Sequence, residues 1–290
     1  MSGQPPAADI ETPTRIGHPR LHLRRTGSTN ERARELAFAG APHGALVTAS
    51  EQTAGRGRHG RRWSAPAGSA LLASLLLRDV PPLLPLIAAV AVCDVAGTLK
   101  GTLPAGGHAG ERSRIKWPND VVVEASDSGA LAKLAGILVE GRPQQGWAVL
   151  GIGLNVAVRL HDLPAELQPG PDGRAPGGGM PAATLGLTPA DVEAKLAQLL
   201  DVLARRLREP EETTLTAWRA RDALLGREIA WGTHGTDAPP ADGADGADNE
   251  APWTRGTAQG IDATGRLIVE LADGTRTTIG AGEVHLRGIA

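Results

Sequence analysis

At Gly226 the turn chemistry of the chain changes, and that change sets what its two parts can fold into. Beyond it, short strand-like segments (Glu228–Trp231, Gly256–Ile261, Leu267–Leu271, Thr275–Ile279 and Val284–Arg287) alternate with turns such as Asp262-Ala263-Thr264-Gly265 and Asp273-Gly274. This is the pattern of a small β-barrel over residues 224–290. Thr236–Pro252 interrupts it with an Ala/Asp/Gly stretch too polar to pack, expected to be disordered.

Ahead of Gly226 the periodicities are mixed. Residues 1–20, rich in Pro and Ala, read as a flexible tail, and residues 21–223 as one larger domain. Ser28-Thr29-Asn30-Glu31 has the spacing of a capping box, with Ala33, Leu36 and Ala37 as the buried stripe of the helix it opens and Gly40 as its end. Strands are expected at Ala45–Ser50, Ala70–Leu77, Arg114–Trp117, Val121–Glu124, Leu134–Glu140 and Trp147–Val156. Helices are expected at Pro85–Leu99, from a Thr188 cap with Pro189 in first position, and at Glu212–Arg221. Leu103–Gly110 and Gly170–Met180 read as loops. The resulting class is α+β: a mixed sheet with helices, then a barrel.

Composition narrows the function. With no Tyr and one Phe, the core must be built from Leu, Val, Ile and Ala. Thirty basic and 32 acidic side chains leave a net charge of −2, so no global field favours a polyanion. Cys93 is the only cysteine, which excludes an internal disulfide and a multi-cysteine metal site; no metal ligands are assigned. Its apolar surroundings make it a buried small hydrophobe. The start lacks the basic and apolar regions of a signal peptide, and no run reaches a membrane span, so a cytoplasmic protein without membrane contact is expected.

Gly55-Arg56-Gly57-Arg58-His59-Gly60 comes after a strand and satisfies G-x-G-x-x-G literally. The next residues, Arg61-Arg62-Trp63-Ser64-Ala65-Pro66, cannot open the apolar helix that a dinucleotide fingerprint requires. Four arginines within residues 56–62 suit a multiply charged small anion such as ATP, with glycines letting the loop fold over it and Trp63 offering a face for a base. A solvated basic loop or a nucleic-acid contact fits the loop equally well when it is taken alone.

Three more segments concentrate chemistry. Lys116-Trp117-Pro118-Asn119-Asp120 puts a cation, an amide and a carboxylate around a turn. Lys133-Leu134-Ala135-Gly136-Ile137-Leu138-Val139-Glu140 starts an apolar strand with a lysine. Gly151-Ile152-Gly153-Leu154-Asn155-Val156 strips one strand face of side chains, as a bulge or a flat ligand against the backbone would require.

These segments in this order, with Gly27-Ser28-Thr29-Asn30 and the run from Gln52 to Trp63, resemble the biotin–protein ligase family. The resemblance covers residues 21–220, and the C-terminal barrel also matches the family's ending. It implies a catalytic domain related to class II aminoacyl-tRNA synthetases and lipoate ligases, with an SH3-like barrel after it. It also implies two half-reactions: biotin and ATP, with Mg²⁺, give biotinyl-5′-AMP, and a lysine of a biotin carboxyl carrier protein domain then takes the biotin.

The resemblance further implies roles. Arg58 and Lys133 would hold the biotin carboxylate and α-phosphate, with Lys116 on the phosphates and Arg56 ordering the loop. Asn119 would position phosphate or metal, and Asp120 would orient the acceptor amine. Trp63 and Asn155 would contact the adenosine side. Ser28, Thr29 and Gln52 would serve the ureido ring, alongside Asn30 and Gly55, and Gly136 and Gly151 would let biotin lie flat. His59 stands where the family more often has arginine. With about 20 residues ahead of the catalytic part, a winged-helix repressor function is not expected, and neither is DNA binding; a monomer or weak homodimer is. The rival readings are a lipoate–protein ligase, a non-catalytic biotin-sensing regulator, and an RNA-contacting scaffold. An aromatic content of 2% counts against the last, which would need stacking platforms.

Overall fold

A computed structural model describes residues 16–97, 112–124, 129–142, 146–170, 174–176, 179–232, 253–280 and 283–286. The loop at Leu103–Gly110, the insert at Thr236–Pro252, and most of the N-terminal tail lie outside the described residues.

The larger sheet has seven strands. In chain order they are β1 (Arg20–Leu23), β2 (Leu46–Ala49), β5 (Ala70–Leu77), β6 (Arg114–Lys116), β7 (Asp120–Glu124), β8 (Leu131–Arg142) and β9 (Trp147–Asn155). Their spatial order is β1-β2-β5-β9-β8-β7-β6. Only β1 and β2 run parallel; every other pairing is antiparallel. A two-strand ribbon, β3 (Gly55–Arg56) with β4 (Arg62–Trp63), carries the arginine–glycine loop.

The two faces of this sheet differ. One carries α2 (Leu84–Ala96), α3 (Asp191–Arg206) and α4 (Glu211–Arg219). α2 is apolar on nearly every side and is buried accordingly, under α3 and α4. Asp94 in its last turn is gripped by Arg206 at 2.7 Å and Arg221 at 2.9 Å, which ties α2 to α3 and to the segment that follows α4. Cys93 is buried here, and desolvation pushes its thiol up to about 11, the inert behaviour expected of it. The opposite face carries α1 (Thr29–Phe38), packed through Ala33 and Ala37 onto Val47, Leu76 and Val149. A second apolar patch on that face groups Ala70 and Leu72 with Val158, Leu160 and Leu163, with Trp63 against it. Between the two patches the covering turns polar.

The C-terminal part is a five-stranded antiparallel sheet of β10 (Glu228–Gly232), β11 (Thr254–Ile261), β12 (Leu267–Glu270), β13 (Arg276–Ile279) and β14 (Glu283–Leu286), ordered β13-β12-β11-β10-β14. A bulge between Ala258 and Ile261 bends β11. Ile229, Ala258, Leu267 and Val269 join the same apolar cluster as α2, so the core continues from one sheet to the other. The turn at Gly265 lies against Leu83 and Leu86, where a Cβ would come within 2.9 Å of Leu86.

Three local expectations need correction. The ordered chain starts earlier than Leu21: Ile16 packs against the core and Gly17 N–H donates to Gly44 O at 2.8 Å. Ser28 occupies the N-cap position of α1, yet its side chain makes no capping bond. Thr29 N–H, the first amide of the helix, donates to Gln52 Oε1 at 2.7 Å, so the helix start is held from across the loop. Finally, α3 begins at Asp191 rather than behind a Thr188 cap. Thr188 N–H and Oγ1 both donate to the Asp191 carboxylate, which closes residues 188–191 into a turn leading directly into the helix.

Candidate functional site

The site is built on the α1 face of the large sheet, where alternation along the strands exposes a row of small residues. Gly136 on β8 pairs with Gly153 on β9, and Gly151 on β9 pairs with Ser74 on β5. Side chains from outside the sheet fill the space these glycines leave. A Cβ on Gly151 would sit 2.1 Å from Asn30 Oδ1, and one on Gly153 would sit 2.6 Å from the Trp63 indole. A Cβ on Gly136 would meet the same indole at 3.1 Å and the Lys133 side chain at 3.2 Å. Gly136 and Gly151, expected to make room for biotin, thus accommodate the Trp63 ring and the Asn30 amide in this structure.

The loop above this floor is anchored at its start. Thr53 N–H donates to Thr26 O and Ala54 N–H to Gly27 O, each at 2.9 Å, which brings Gln52 beside the N-terminus of α1. Gly55 must be glycine, because a Cβ there would lie 2.5 Å from the Trp63 carbonyl oxygen across the ribbon. At the tip His59 adopts φ 54°, a left-handed conformation uncommon for a residue with a Cβ. Burial and the neighbouring Arg58 and Arg61 charges lower its pKa, disfavouring a further cation in the loop. Arg56 faces Glu31 at 3.5 Å and Glu140 at 3.9 Å, consistent with ordering the loop.

One end of the site is closed by neutral side chains, with the Glu140 carboxylate and its arginines behind them. Gln52 Oε1 accepts from Thr29 N–H at 2.7 Å and from Thr29 Oγ1 at 2.9 Å. Ser74 Oγ lies 2.8 Å from Thr29 Oγ1 and 2.6 Å from Asn30 Oδ1. Asn30 Nδ2 donates to Glu140 Oε2 at 2.8 Å. Ser28, Thr29, Asn30 and Ser74 are all buried.

The other end is charged. Asp120 stands opposite Lys116 in the β6–β7 pairing, and Lys133 Nζ reaches Asp120 Oδ1 at 2.7 Å. Arg58 donates to Asn119 Oδ1 at 3.1 Å, and Asn119 Nδ2 donates to Ile137 O at 3.0 Å. Burial pushes the Asp120 carboxyl up, but the Lys133 and Lys116 charges outweigh it and leave its pKa below the ordinary value. Burial draws the Lys116 ammonium down to about 8 against the attraction of Asp120, and Lys133 and Arg61 push the same way. Burial also lowers Arg58, with Asp120 opposing. Three cations thus share one carboxylate, an arrangement suited to receiving anions. Trp63 lies beside this cluster, 5.9 Å from Lys133 Nζ to its ring centroid.

Asn155, two residues beyond Gly153 on the same face, donates through Nδ2 to Ala183 O at 2.8 Å. Its Oδ1 and the Trp63 indole nitrogen are buried without hydrogen-bond partners among the described residues.

The predicted residues therefore converge, as two clusters along one glycine-lined face. Sequence reasoning missed two members. Ser74 is the single polar residue in the otherwise apolar Ala70–Leu77 run, a signal the sequence does carry. Glu140 receives Asn30, Arg34 and Arg56, which only the three-dimensional arrangement shows.

Comparison with known proteins identifies the family. Residues 22–156 match the biotin/lipoate A/B protein ligase family, and residues 250–287 match the biotin protein ligase C terminal domain. The biotin--[acetyl-CoA-carboxylase] ligase of Paracoccus denitrificans is 34% identical over 92% of this chain and 100% of its own length. The ligase of the same name from Mycobacterium tuberculosis is 33% identical over 90% of this chain and 87% of its own. The bifunctional ligase/repressor BirA of Bacillus subtilis is 40% identical over 49% of this chain, and the chain spans only 41% of that relative's length. In fold, the chain is similar to the biotin protein ligase of Aquifex aeolicus solved in complex with biotin and ATP. That likeness has a TM-score of 0.65 at 22% identity, covering 93% of this chain and 98% of the other.

Proposed function

The chain belongs to the biotin–protein ligase branch of the biotin/lipoate A/B protein ligase family, and from that premise we propose that it activates biotin with ATP and transfers it to a carrier lysine. In the first step the biotin carboxylate attacks the α-phosphate of ATP, forming biotinyl-5′-AMP and releasing pyrophosphate. In the second, the ε-amine of a lysine on the biotin carboxyl carrier domain of a carboxylase attacks the acyl carbon and releases AMP.

The observation that carries this reading is the gathering of Arg58, Lys116 and Lys133 around Asp120 and Asn119, at one end of a glycine-lined face whose other end presents amides and hydroxyls. Two anions must approach each other in the first step, and charge grows around phosphorus as they do. Cations fixed in advance at a buried site lower that barrier most effectively. Arg58 and Lys133 hold the carboxylate and α-phosphate, and Lys116 holds the remaining phosphates. Arg56 orders the loop through Glu31 and Glu140. Asn119 steadies Arg58 and a phosphate oxygen. Asp120 keeps Lys133 in place and then orients the incoming amine. Trp63 and Asn155, with their unpartnered buried atoms, receive the adenosine side. The neutral cluster of Ser28, Thr29, Asn30 and Gln52, below Gly55, receives the uncharged ring of biotin.

Mg²⁺ enters with ATP. Among the described residues no group of three or more His, Cys, Asp or Glu side chains is placed to hold a metal, and Asp120 is already engaged by Lys133. No helix among the described residues is long and apolar enough to cross a membrane.

The test is biotin-dependent exchange of labelled pyrophosphate into ATP with the purified chain and Mg²⁺, with lipoate as the parallel substrate. Exchange with biotin and not with lipoate is expected. Exchange with lipoate alone reassigns the chain to lipoate ligation, and a folded protein that binds biotin without exchange is a sensor.

A further inference from the structure

We infer that the exposed arginines on the rim of the site, Arg24, Arg25 and Arg62, form the surface on which the carrier docks, and that the carrier meets them with carboxylates near its acceptor lysine. The inference rests on the biotin reading above and adds how this chain takes hold of its protein substrate.

Three separate stretches of chain meet at the rim. Arg24 and Arg25 lie between β1 and the start of α1, both exposed. The next residue, Thr26, is bridged to Gln52, and its N–H donates to Glu51 O at 3.1 Å. Arg62 Nη2 donates to Thr53 O at 2.9 Å, which brings its guanidinium to the same place from across the ribbon. Arg61, also exposed, continues inward, since its charge bears on Arg58, Lys116 and Asp120. The basic rim therefore runs into the charged end, where the acceptor lysine has to arrive.

Little on the chain neutralises this rim. Arg25 faces Glu51 at 3.2 Å with 68% of its side chain exposed, and a pair so open holds its cation weakly. Among the described residues neither Arg24 nor Arg62 pairs with a carboxylate. The whole chain has a net charge of −2, so the excess is local. Cations placed on a rim steer an acidic partner and speed its encounter more than they tighten it.

The choice of cation fits a partner that takes an acyl group. A rim beside a mixed anhydride must attract acids without offering an amine that would be acylated itself. A guanidinium stays protonated and does not compete with the acceptor lysine, whereas an ammonium of pKa about 10.4 competes through its small neutral fraction. The sequence has four lysines: Lys100, Lys116, Lys133 and Lys195. Lys116 and Lys133 belong to the charged end, and Lys195, on α3 across the sheet, donates to Val95 O at 2.8 Å. Lys100 lies outside the described residues. The rim cations are arginines throughout.

The experiment measures biotin transfer to the biotin carboxyl carrier protein of an acetyl-CoA carboxylase by the full chain and two variants. One is Arg24→Gln/Arg25→Gln/Arg62→Gln, the other Arg24→Glu/Arg25→Glu; pyrophosphate exchange and melting temperature are followed alongside. At about 20 mM salt, kcat/KM for the carrier is expected to fall about tenfold in the first variant and further in the second. The difference should shrink below about twofold at roughly 0.5 M salt, where charges more than a few ångströms apart are screened. KM for biotin and for ATP in the exchange reaction should stay within about twofold of the parent. Carrier kinetics unchanged in both variants overturn the inference, as does a loss that persists at high salt. A parallel rise in the exchange constants also overturns it, because the arginines then serve the loop. Loss of binding to a DNA oligonucleotide, with carrier kinetics intact, gives the rim to nucleic acid instead. If the parent shows no exchange with biotin, the biotin reading fails first; if it exchanges and only the rim predictions fail, that reading stands without this surface.

Discussion

The two ends of the site differ in how much of their chemistry is satisfied without a ligand. At the neutral end each amide has a partner, and the hydroxyls of Ser74 and Thr29 are hydrogen-bonded within the cluster as well. At the charged end, Lys116, Lys133 and Arg58 converge on Asp120, and burial works against both lysine and arginine charge there. The first arrangement costs the fold little and recognises shape and hydrogen-bond pattern. The second stores unfavourable electrostatics that an anion relieves, which is what a site for phosphate chemistry requires.

The sharpest way to break this contrast is to remove Lys133. Lys133→Ala should lower the pyrophosphate exchange rate by roughly 10³-fold, at the upper end of what a single transition-state donor supplies. It should also cost stability, because Asp120 is left buried without its 2.7 Å partner. Breaking a fully buried pair costs about 3–5 kcal/mol; Lys133 keeps 29% side-chain exposure, so roughly 2 kcal/mol is expected after discounting for solvent screening. Exchange kinetics and denaturant melts check both. A variant with near-parental exchange would remove the charged end from the chemistry.

Next comes the floor between the ends. Gly153→Ala places a methyl 2.6 Å from the Trp63 indole and must drive the ring out of its seat. About a 10²-fold loss in kcat/KM for ATP is expected, with biotin binding less affected. Gly151→Ala, 2.1 Å from Asn30 Oδ1, should show the reverse pattern, raising the KM for biotin above that for ATP. Equal effects of the two alanines on both substrates would erase the distinction between the ends.

A pH series sharpens the same contrast by about tenfold per unit. Burial draws Lys116 down to about 8, so its positive form is lost as pH rises through that value. kcat/KM for ATP should fall above about pH 8, whereas Lys116→Arg should hold its rate to higher pH. Stability moves the other way. Between about 8 and the ordinary lysine value of 10.5 the unfolded chain binds more protons at this position than the folded one, so the contribution of Lys116 to stability rises with pH. A flat rate profile from pH 7 to 9.5 would show that Lys116 is not required as a cation.

The same division governs how much of the molecule is legible in its sequence. Ala70–Leu77 is read at its observed bounds because an unbroken apolar run has one interpretation. The charged residues are legible because Lys, Arg and Asp are rare in apolar strands and announce themselves. Ser74 is not: one hydroxyl in that run means nothing until the register sets it opposite Gly151. The start of α1 is hidden for a related reason, since the acceptor that holds its first amide, Gln52, lies across a loop. Thr188 misleads because Asp191 turns its hydroxyl and amide inward, a choice local propensity does not reveal. The polar contacts that cross between elements are the part a sequence cannot show.

The smallest predicted effect concerns how the charged end is held. Trp117 lies between Lys116 and Asn119-Asp120, is buried, and donates through its indole nitrogen to the carbonyl of Gly265 at 3.0 Å, in the turn between β11 and β12. The second sheet thereby braces the turn that carries Lys116 and Asp120, whereas the neutral end is braced only from within the large sheet, α1 and the loop. Trp117→Phe keeps most of the packing and removes that one bond, worth about 1 kcal/mol. If the brace positions the cations, the variant should raise the KM for ATP about threefold and leave that for biotin unchanged, with a melting temperature a few degrees lower. A melting shift with both KM values unchanged would mean that the contact only joins the two sheets and that the charged end positions itself.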